Sequence, residues 1–386
     1  MTACVGHAPV LFLLGTLEIG GSETKFVRLA NRLRALGMPV HIAYLRRPDA
    51  LLEAIDDVPT VHLEQSGKWS ARAYRNLRRY VTSQSIRSIL NVNLYPLSYS
   101  VPLKSLYKKT KITNIVSINT SEMRSGRDRA FMLLYSRLLR NADKLVFGSA
   151  AQMQSWLDEY SLPAKKSIVL YNGVDGDFFS PETVPESRAA IRKRLDIPDD
   201  AFLIVCVSQF RPEKGQQNLL RAVARVEKDH NLQPYVLLVG DGVERTAILE
   251  CIRLHRLERR TILPGAVSDV RPFLKAADLF VLPSTAVETF SNAALEAAAM
   301  GLPAVISDLG GAREMFPDGT SGKVYCRGSI DELAKILAVK VSAGHLTDDM
   351  RDTVRQDILR RFGAGSMTKA WFATLWPITD PEVMRQ

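Results

Sequence analysis

The chain has 386 residues, 46% of them hydrophobic and 24% charged, and a formal net charge of +10. That length exceeds what one hydrophobic core organises and suits two domains, and the composition is that of an ordinary globular protein, which excludes a disordered or fibrous chain. The excess positive charge lies in residues 1–175, which hold 24 Lys and Arg against 13 Asp and Glu. An acidic partner is therefore one expectation: a phosphate-bearing acceptor, an anionic membrane surface or nucleic acid.

Val10 to Leu14 is a short apolar run with no charged flank before it, so it reads as a first buried strand and not as a signal peptide. No apolar run reaches the ~18 to 20 residues of a membrane span. Cys4, Cys206, Cys251 and Cys326 are scattered, with no C-x-x-C, so free thiols are expected, without disulfides or zinc, in a cytoplasmic protein. After the first strand comes G-T-L-E-I-G-G-S-E and a helix from about Ser22 to Leu36. Gly20 and Gly21 either leave room for a ligand against the backbone where helix amides are free, or make a plain tight turn.

Strands then alternate with helices: Val40 to Leu45, Val58 to Leu63, a helix from about Ser70 to Thr82, Ile89 to Val92, Ile112 to Ile118, Leu145 to Ser149 and Ile168 to Tyr171. This is the doubly wound α/β pattern. The stretch Lys68 to Arg87 carries Arg72, Arg75, Arg78, Arg79 and Arg87 among Trp69, Tyr74, Leu77, Tyr80 and Val81, and a similar one runs from Arg124 to Lys144. Each reads as a helix packed on a sheet with a solvated basic face, or as a surface that rests on anionic headgroups. The arginines are dispersed and no recognised nucleic-acid module is present, so no nucleic-acid partner is expected. Asn119, Thr120, Ser121 and Glu122 follow one buried strand, and Glu122 is an acid to test there. Asp175-Gly-Asp177 spells D-x-D, but within a linker, and no metal site is expected.

The pattern restarts with Phe202 to Val207, the loop S-Q-F-R-P-E-K-G, a helix from about Gln216 to Val226, and Tyr235 to Val239 running into G-D-G. Gly240 and Gly242 would let a nucleotide lie close to the backbone. Ile262 to Val267, I-L-P-G-A-V, follows, Ala277 to Leu282 leads on to an apolar run at Leu279 to Leu282 that reads as a strand, and helices are read over Asp331 to Val341, Asp348 to Phe362 and a last segment with Met367, Trp371, Phe372, Leu375 and Trp376. The most informative stretch is Phe280 to Glu314, which reads strand, loop, helix, strand, loop, with Ala304 to Ile306 as its second strand and an Ala-rich helix from Asn292 to Met300. In such a unit the strand's carboxyl end and the helix's amino end meet at the ligand edge. Glu288 lies in the loop and Glu296 about a turn inside the helix, with Phe290, Ser291, Asn292 and Ala293 presenting backbone N–H groups between them. Acid, amide row, acid suits a sugar nucleotide; a capped helix with two solvated glutamates is the plainer reading.

The E-x7-E spacing, the F-S-N-A-A-L-E-A core and the following G-L-P-A-V-I-S-D-L-G-G-x-x-E closely resemble the nucleotide-sugar signature of retaining GT-B glycosyltransferases of family four. The resemblance is strong over residues 200–325 and weak over 40–165. It implies two Rossmann-like domains facing a cleft: residues 1–175, with a C-terminal helix from about 366 to 386 packing back on them, on the acceptor side, and 176–365 on the donor side. It implies that Gly20, Gly21 and Glu23 contact donor phosphate or acceptor, that Lys214 holds the donor diphosphate, and that Pro264 and Val267 lie beside the base. At the family's arginine position stands Gln209, and Arg211 is the residue that would reach back. Where many members carry a histidine stands Asn119, which hydrogen-bonds but cannot shuttle a proton at neutral pH.

The implied reaction is sugar transfer from a nucleoside diphosphate, a UDP-sugar by expectation, to a glycan or lipid-linked glycan hydroxyl with retention, needing no metal or other cofactor. Lys214, Arg211 and the amides of Phe290 to Ala293 would stabilise the leaving diphosphate. Glu288 would orient the donor sugar and Glu296 the ribose. A peripheral place on the inner face of the cytoplasmic membrane is the accompanying expectation. The competing readings are a non-catalytic sugar-nucleotide or glycan-binding protein on the same scaffold, favoured by Gln209 and Asn119, and a sugar-nucleotide epimerase.

Overall fold

The computed structural model describes residues 7–106, 112–119, 126–317 and 321–377. Its strands are β1 (Val10–Leu14), β2 (Val40–Tyr44), β3 (Thr60–His62), β4 (Ser88–Val92), β5 (Thr113–Ile118), β6 (Lys144–Phe147), β7 (Ser167–Val169), β8 (Leu203–Val207), β9 (Tyr235–Val239), β10 (Thr261–Gly265), β11 (Leu279–Leu282), β12 (Ala304–Ser307) and β13 (Gly322–Tyr325). Between them run helices α1 (Gly21–Ala35), α2 (Ala71–Ser83), α3 (Leu94–Leu106), α4 (Gly126–Asn141), α5 (Ala150–Tyr160), α6 (Arg188–Arg194), α7 (Gln216–His230), α8 (Arg245–Leu254), α9 (Arg271–Ala276), α10 (Asn292–Ala299) and α11 (Ala312–Met315). Helices α12 (Ile330–Ala343), α13 (Asp348–Phe362) and α14 (Ala364–Leu375) complete the chain.

The chain forms two compact units, one made of residues up to Asn172 together with those from Gly365, the other of Gly173–Ala364. In the first, seven parallel strands are ordered β3-β2-β1-β4-β5-β6-β7. In the second, six parallel strands are ordered β10-β9-β8-β11-β12-β13. The doubly wound expectation is borne out. Parallel strands covered by helices on both faces are buried throughout, which is why β1, β8 and β11 are continuous apolar runs without alternation. Each order reverses once, between β1 and β4 and between β8 and β11, and a doubly wound sheet binds ligands outside the strands' carboxyl ends at such a switch point.

Helix α14 belongs to the first unit because of its aromatics. Trp371 is fully buried and meets Phe26 of α1 edge-on at 5.3 Å, Phe26 meets Phe12 of β1 at 6.0 Å, and the Trp376 indole N–H donates to the Ala8 carbonyl at 2.8 Å. In the second unit Leu219, Val223 and Val226 of α7 pack with Leu333 and Leu337 of α12 over Ile204, Cys206, Val236 and Leu238.

Several strands are shorter than their apolar runs. β3 begins only at Thr60, after Pro59, which has no N–H for the ladder. β6 stops at Phe147 because Ser149 is the N-cap of α5, accepting from the Gln152 amide at 3.1 Å. β10 ends at Gly265, where the register shifts, so Pro264 is within this edge strand and Val267 beyond it. Among the described residues no helix is long and apolar enough to cross a membrane.

Candidate active site

The loops after β8 and β11 flank the second unit's switch point and are laced together. The Thr285 amide donates to the Glu213 carbonyl at 2.8 Å, and Gly215 at φ +65° faces Pro283 so closely that an added Cβ would lie 2.3 Å from the Pro283 carbonyl oxygen. A short 3₁₀ turn, Pro212–Lys214, ends at that glycine and lifts Lys214 toward the neighbouring loop. There Lys214 Nζ lies 2.5 Å from Glu288 Oε1, with side chains 23% and 14% exposed.

Glu288 is fixed from several sides. The Ser284 hydroxyl donates to the same Oε1 at 2.8 Å, and Ser307, at the end of β12, donates to the Ser284 carbonyl at 2.6 Å. Both serines are buried. Val287 sits at φ +56°, a conformation that a β-branched residue adopts only under constraint. Gly310 at φ +52° lies against the same backbone, where an added Cβ would be 2.4 Å from the Glu288 carbonyl, and the Gly311 amide donates to the Thr289 carbonyl at 2.8 Å. The G-G of the sequence motif thus acts as a backbone support for the glutamate loop.

The next residues lead into α10. Ser291 is its N-cap, accepting from the Ala294 amide at 3.2 Å, with Asn292 and Ala293 in the first turn and Glu296 half-buried one turn in. The Phe290 side chain turns into the core, its ring 5.1 Å from that of Phe362. At the other end of α10, Arg355 of α13 donates to the Ala299 carbonyl and, at 2.7 Å, to the Gly176 carbonyl, capping the helix where its dipole is negative.

Gln209 and Arg211 are exposed, and Arg211 lines a cavity of about 250 Å³ with Gln217, Arg221, Glu244 and Thr285. Their loop is tied down by Gln216, whose side-chain amide donates to Ser208 Oγ at 2.9 Å and to the Gln209 carbonyl at 3.0 Å. Gly240 and Gly242 have a neighbour of their own: added Cβ atoms would fall 2.0 Å from the Ser208 carbonyl and 2.4 Å from the Phe210 carbonyl. The close approach that they permit is that of the β8 loop.

In the first unit Gly20 precedes α1, which begins at Gly21, and an added Cβ on Gly20 would lie 2.8 Å from Glu23 Oε2. Burial pushes the Glu23 carboxyl up from its ordinary value and Glu18 adds to this, against a hydrogen bond from its own backbone that pulls it down. Asn119 stands after β5, its amide nitrogen 3.1 Å from Asn93 Oδ1 and 3.2 Å from the Ser117 carbonyl. Asn93 follows β4 at φ +69°, so the two asparagines join adjacent strand ends on one side of the switch point. Glu122 lies outside the described residues. Sequence reading missed Asn93, Ser284, Ser307 and Gln216; Ser307 ends β12 and Ser284 lies two residues past β11, and nothing local marks either as a support for Glu288.

Two doubly wound units, the second with an acid and a cation paired at its switch point, define the GT-B class of two-domain transferases. Residues 19–178 match the family model described as Glycosyltransferase Family 4, and residues 187–357 the one described as Glycosyl transferases group 1. D-inositol 3-phosphate glycosyltransferase 2 of Catenulispora acidiphila is 26% identical over 412 residues, covering 97% of this chain and 92% of that protein. The lipopolysaccharide core biosynthesis glycosyltransferase LpsE of Rhizobium meliloti is 29% identical over 187 residues, 48% of this chain and 53% of that protein. Among solved structures, Anabaena HepE in complex with UDP superposes with a TM-score of 0.83 at 21% identity, covering 95% of this chain and 99% of that one. A glycosyltransferase of Rickettsia africae gives 0.82 at 18% identity, covering 97% and 100%. The chain belongs to glycosyltransferase family four, and it is a glycosyl-transferring enzyme.

Proposed function

We propose that this glycosyltransferase moves a sugar from a UDP-sugar to a hydroxyl of a glycan or lipid-linked glycan, with retention at the anomeric carbon and without a metal ion. The observation that carries the reading is the Lys214–Glu288 pair, 2.5 Å apart at the β8/β11 switch point and beside the amino end of α10. A diphosphate leaving group gains negative charge as the sugar becomes oxocarbenium-like, and a fixed ammonium with a helix amino end stabilises it there. Exposed Arg211 is the second cation for this charge, in the place where Gln209 brings none. Glu288 orients the donor sugar through its hydroxyls, and Glu296, one turn into α10, holds the ribose. Retention follows from attack on the face that the diphosphate leaves: the C–O bond to the acceptor forms as that to the phosphate breaks, and the departing phosphate oxygen takes the acceptor's proton. Asn119 serves as a hydrogen-bonding group only.

UDP is the nucleotide in the HepE complex, and the relatives' names speak of an inositol phosphate and a lipopolysaccharide core, so a phosphorylated polyol or polysaccharide precursor is the acceptor class proposed. The cytoplasmic face of the membrane is the proposed place of work. A thermal-shift screen of free nucleoside diphosphates against the protein and its Glu296→Ala variant tests the site. A ligand at about 100 times its Kd stabilises by about 2.7 kcal/mol. A shift with UDP that disappears in the variant is expected; no shift with any nucleoside diphosphate overturns the donor assignment.

A further inference from the structure

The loop joining β3 to α2, residues 63–70, is held firmly and yet turns its largest apolar side chain to solvent. Its Leu63 and Gln65 amides donate to the Tyr44 and Leu45 carbonyls at 2.9 and 2.8 Å. The Gln65 side-chain amide donates to the Gly67 carbonyl at 2.6 Å and to the Tyr95 hydroxyl at 2.5 Å, and that hydroxyl donates to the Lys68 carbonyl. The Ser70 amide donates to the Tyr99 hydroxyl at 3.2 Å. Glu64 and Gly67 are both at positive φ, +56° and +69°. A loop this over-determined pays backbone strain for a defined shape, which is the usual mark of a working segment.

What that shape displays is Trp69, 65% exposed, whereas Trp156, Trp371 and Trp376 are buried. Its ring stacks on the buried Tyr99 ring at 5.9 Å and 27°, so the indole is a backed, oriented plate. Tyr95 and Tyr99 belong to α3, the helix after β4. The loop therefore leans from the edge strand β3 toward the β1/β4 switch point, on the carboxyl edge where a doubly wound sheet binds ligands. Beside the plate in sequence stands the exposed Lys68, while the Gln65 side chain is spent inside the loop, on the Gly67 carbonyl and the Tyr95 hydroxyl. A flat, backed apolar face with an exposed ammonium donor next to it complements a pyranose, which has a C–H face and a rim of hydroxyls.

We propose that Trp69, with Lys68 beside it, is a stacking subsite for a hexopyranose of the acceptor glycan, in a loop that Gln65 holds in shape. The proposal rests on the glycan-acceptor reading above and gives the first unit a sugar contact separate from the donor site.

The test is saturation-transfer NMR from the protein's aromatic protons to the methyl glycosides of glucose, galactose, mannose and N-acetylglucosamine, on the full chain. Transfer to the ring C–H protons of one or more glycosides is expected, reduced about tenfold in Trp69→Ala and kept in Trp69→Phe. An exposed position leaves folding intact, which the melting temperature of each variant checks. If no glycoside receives saturation while UDP still shifts the melting temperature, the subsite is overturned and the donor assignment stands. Transfer that is undiminished in Trp69→Ala overturns it equally. Quenching of the exposed tryptophan by vesicles of brominated phosphatidylglycerol, with no glycoside effect, replaces the sugar by a lipid surface.

Discussion

A carboxylate and an ammonium 2.5 Å apart neutralise each other, and that sets what a diphosphate meets on entering this site. Lys214 has Glu288 as its partner before any ligand arrives, while Glu288 keeps the Ser284 hydroxyl at 2.8 Å if Lys214 turns away. Like charges brought together repel, so under the proposed function Glu288 would weaken the binding of free UDP even as it served the sugar during transfer. Glu288→Gln is expected to bind UDP about tenfold more tightly, about 1.4 kcal/mol, with transfer nearly abolished. Calorimetric titration measures this, and an affinity equal to or below wild type would mean that Glu288 holds Lys214 ready and does not compete for it. Lys214→Ala is expected to lose about 1.5–3 kcal/mol of UDP binding, the worth of a charged hydrogen bond. Gly310→Ala tests the support behind the glutamate: at φ +52° and 2.4 Å from the Glu288 carbonyl, a methyl group displaces the loop, so transfer falls while the melting temperature changes by a few degrees at most. A large loss of melting temperature instead would make Gly310 a folding residue first.

At the scale of elements, the second unit is pinned by Asp278 at the start of β11. Its side chain is fully buried and meets Arg188 Nη2 at 2.5 Å, Arg192 Nη1 at 3.4 Å, His345 Nδ1 at 2.8 Å and Arg351 Nη2 at 3.5 Å, besides the Leu203 amide at 2.9 Å. One carboxylate thereby gathers α6, α13, the segment before α13 and the entry to β8. Burial alone would raise its pKa, but the Arg188 charge and the hydrogen bonds from His345, Leu203 and Arg188 outweigh it and hold the carboxyl below its ordinary value. A depressed carboxyl contributes stability that is present above the unfolded pKa of about 3.9 and is lost as pH falls through the folded value. Asp278→Asn leaves buried guanidinium groups without their charge partner and is expected to cost about 3–5 kcal/mol at neutral pH. Denaturant titration checks this: the gap between variant and wild type should persist down to pH ~4 and narrow below it. A gap independent of pH through that range would assign the loss to packing alone.

The elements also show why some structure was legible in the sequence and some was not. Apolar runs announced β1, β8, β9, β11 and β12, because a buried parallel strand needs little else. Helix α3 went unread because Pro96 and Pro102 fall within its 13 residues, and proline argues against a helix unless tertiary packing supports it, as burial of Leu97, Tyr99 and Leu103 does here. Helix α6 is seven residues of mostly charged sequence, whose purpose is to bring Arg188 and Arg192 to Asp278. Its partner lies about 90 positions along the chain, and nothing local marks it. Lys214 and Glu288, which the structure pairs, could be singled out because their motifs are local; Ser284, Ser307 and Asn93, which hold the loops in shape, could not, since they act through neighbours set by strand order.

Over the whole molecule the excess positive charge lies in residues 1–175, the half proposed to serve the acceptor, and the fold gives part of it a direction. Helix α2 buries Ala73, Leu77 and Val81 against the sheet and turns Arg72, Arg75, Arg78 and Arg79 outward. Arg72 pairs with Glu64, which leaves Arg75, Arg78 and Arg79 as a cationic stripe beside the Trp69 loop. A lipid-linked glycan presents both an anionic surface and a sugar, so the stripe and the indole plate would read different parts of one acceptor. A basic residue near an anionic bilayer contributes about 1 kcal/mol, and the attraction has a reach of about 30 Å at 0.01 M salt but about 8 Å at 0.15 M. The protein is therefore expected to sediment with phosphatidylglycerol vesicles at low salt and to be released at physiological salt, and a triple Arg75, Arg78, Arg79→Gln variant to stay in the supernatant at both. UDP affinity should be the same in the variant, because the stripe belongs to the first unit and the residues proposed to hold the diphosphate belong to the second. Equal sedimentation of wild type and variant would assign the charge to solubility, and would leave the Trp69 loop as the acceptor contact to pursue.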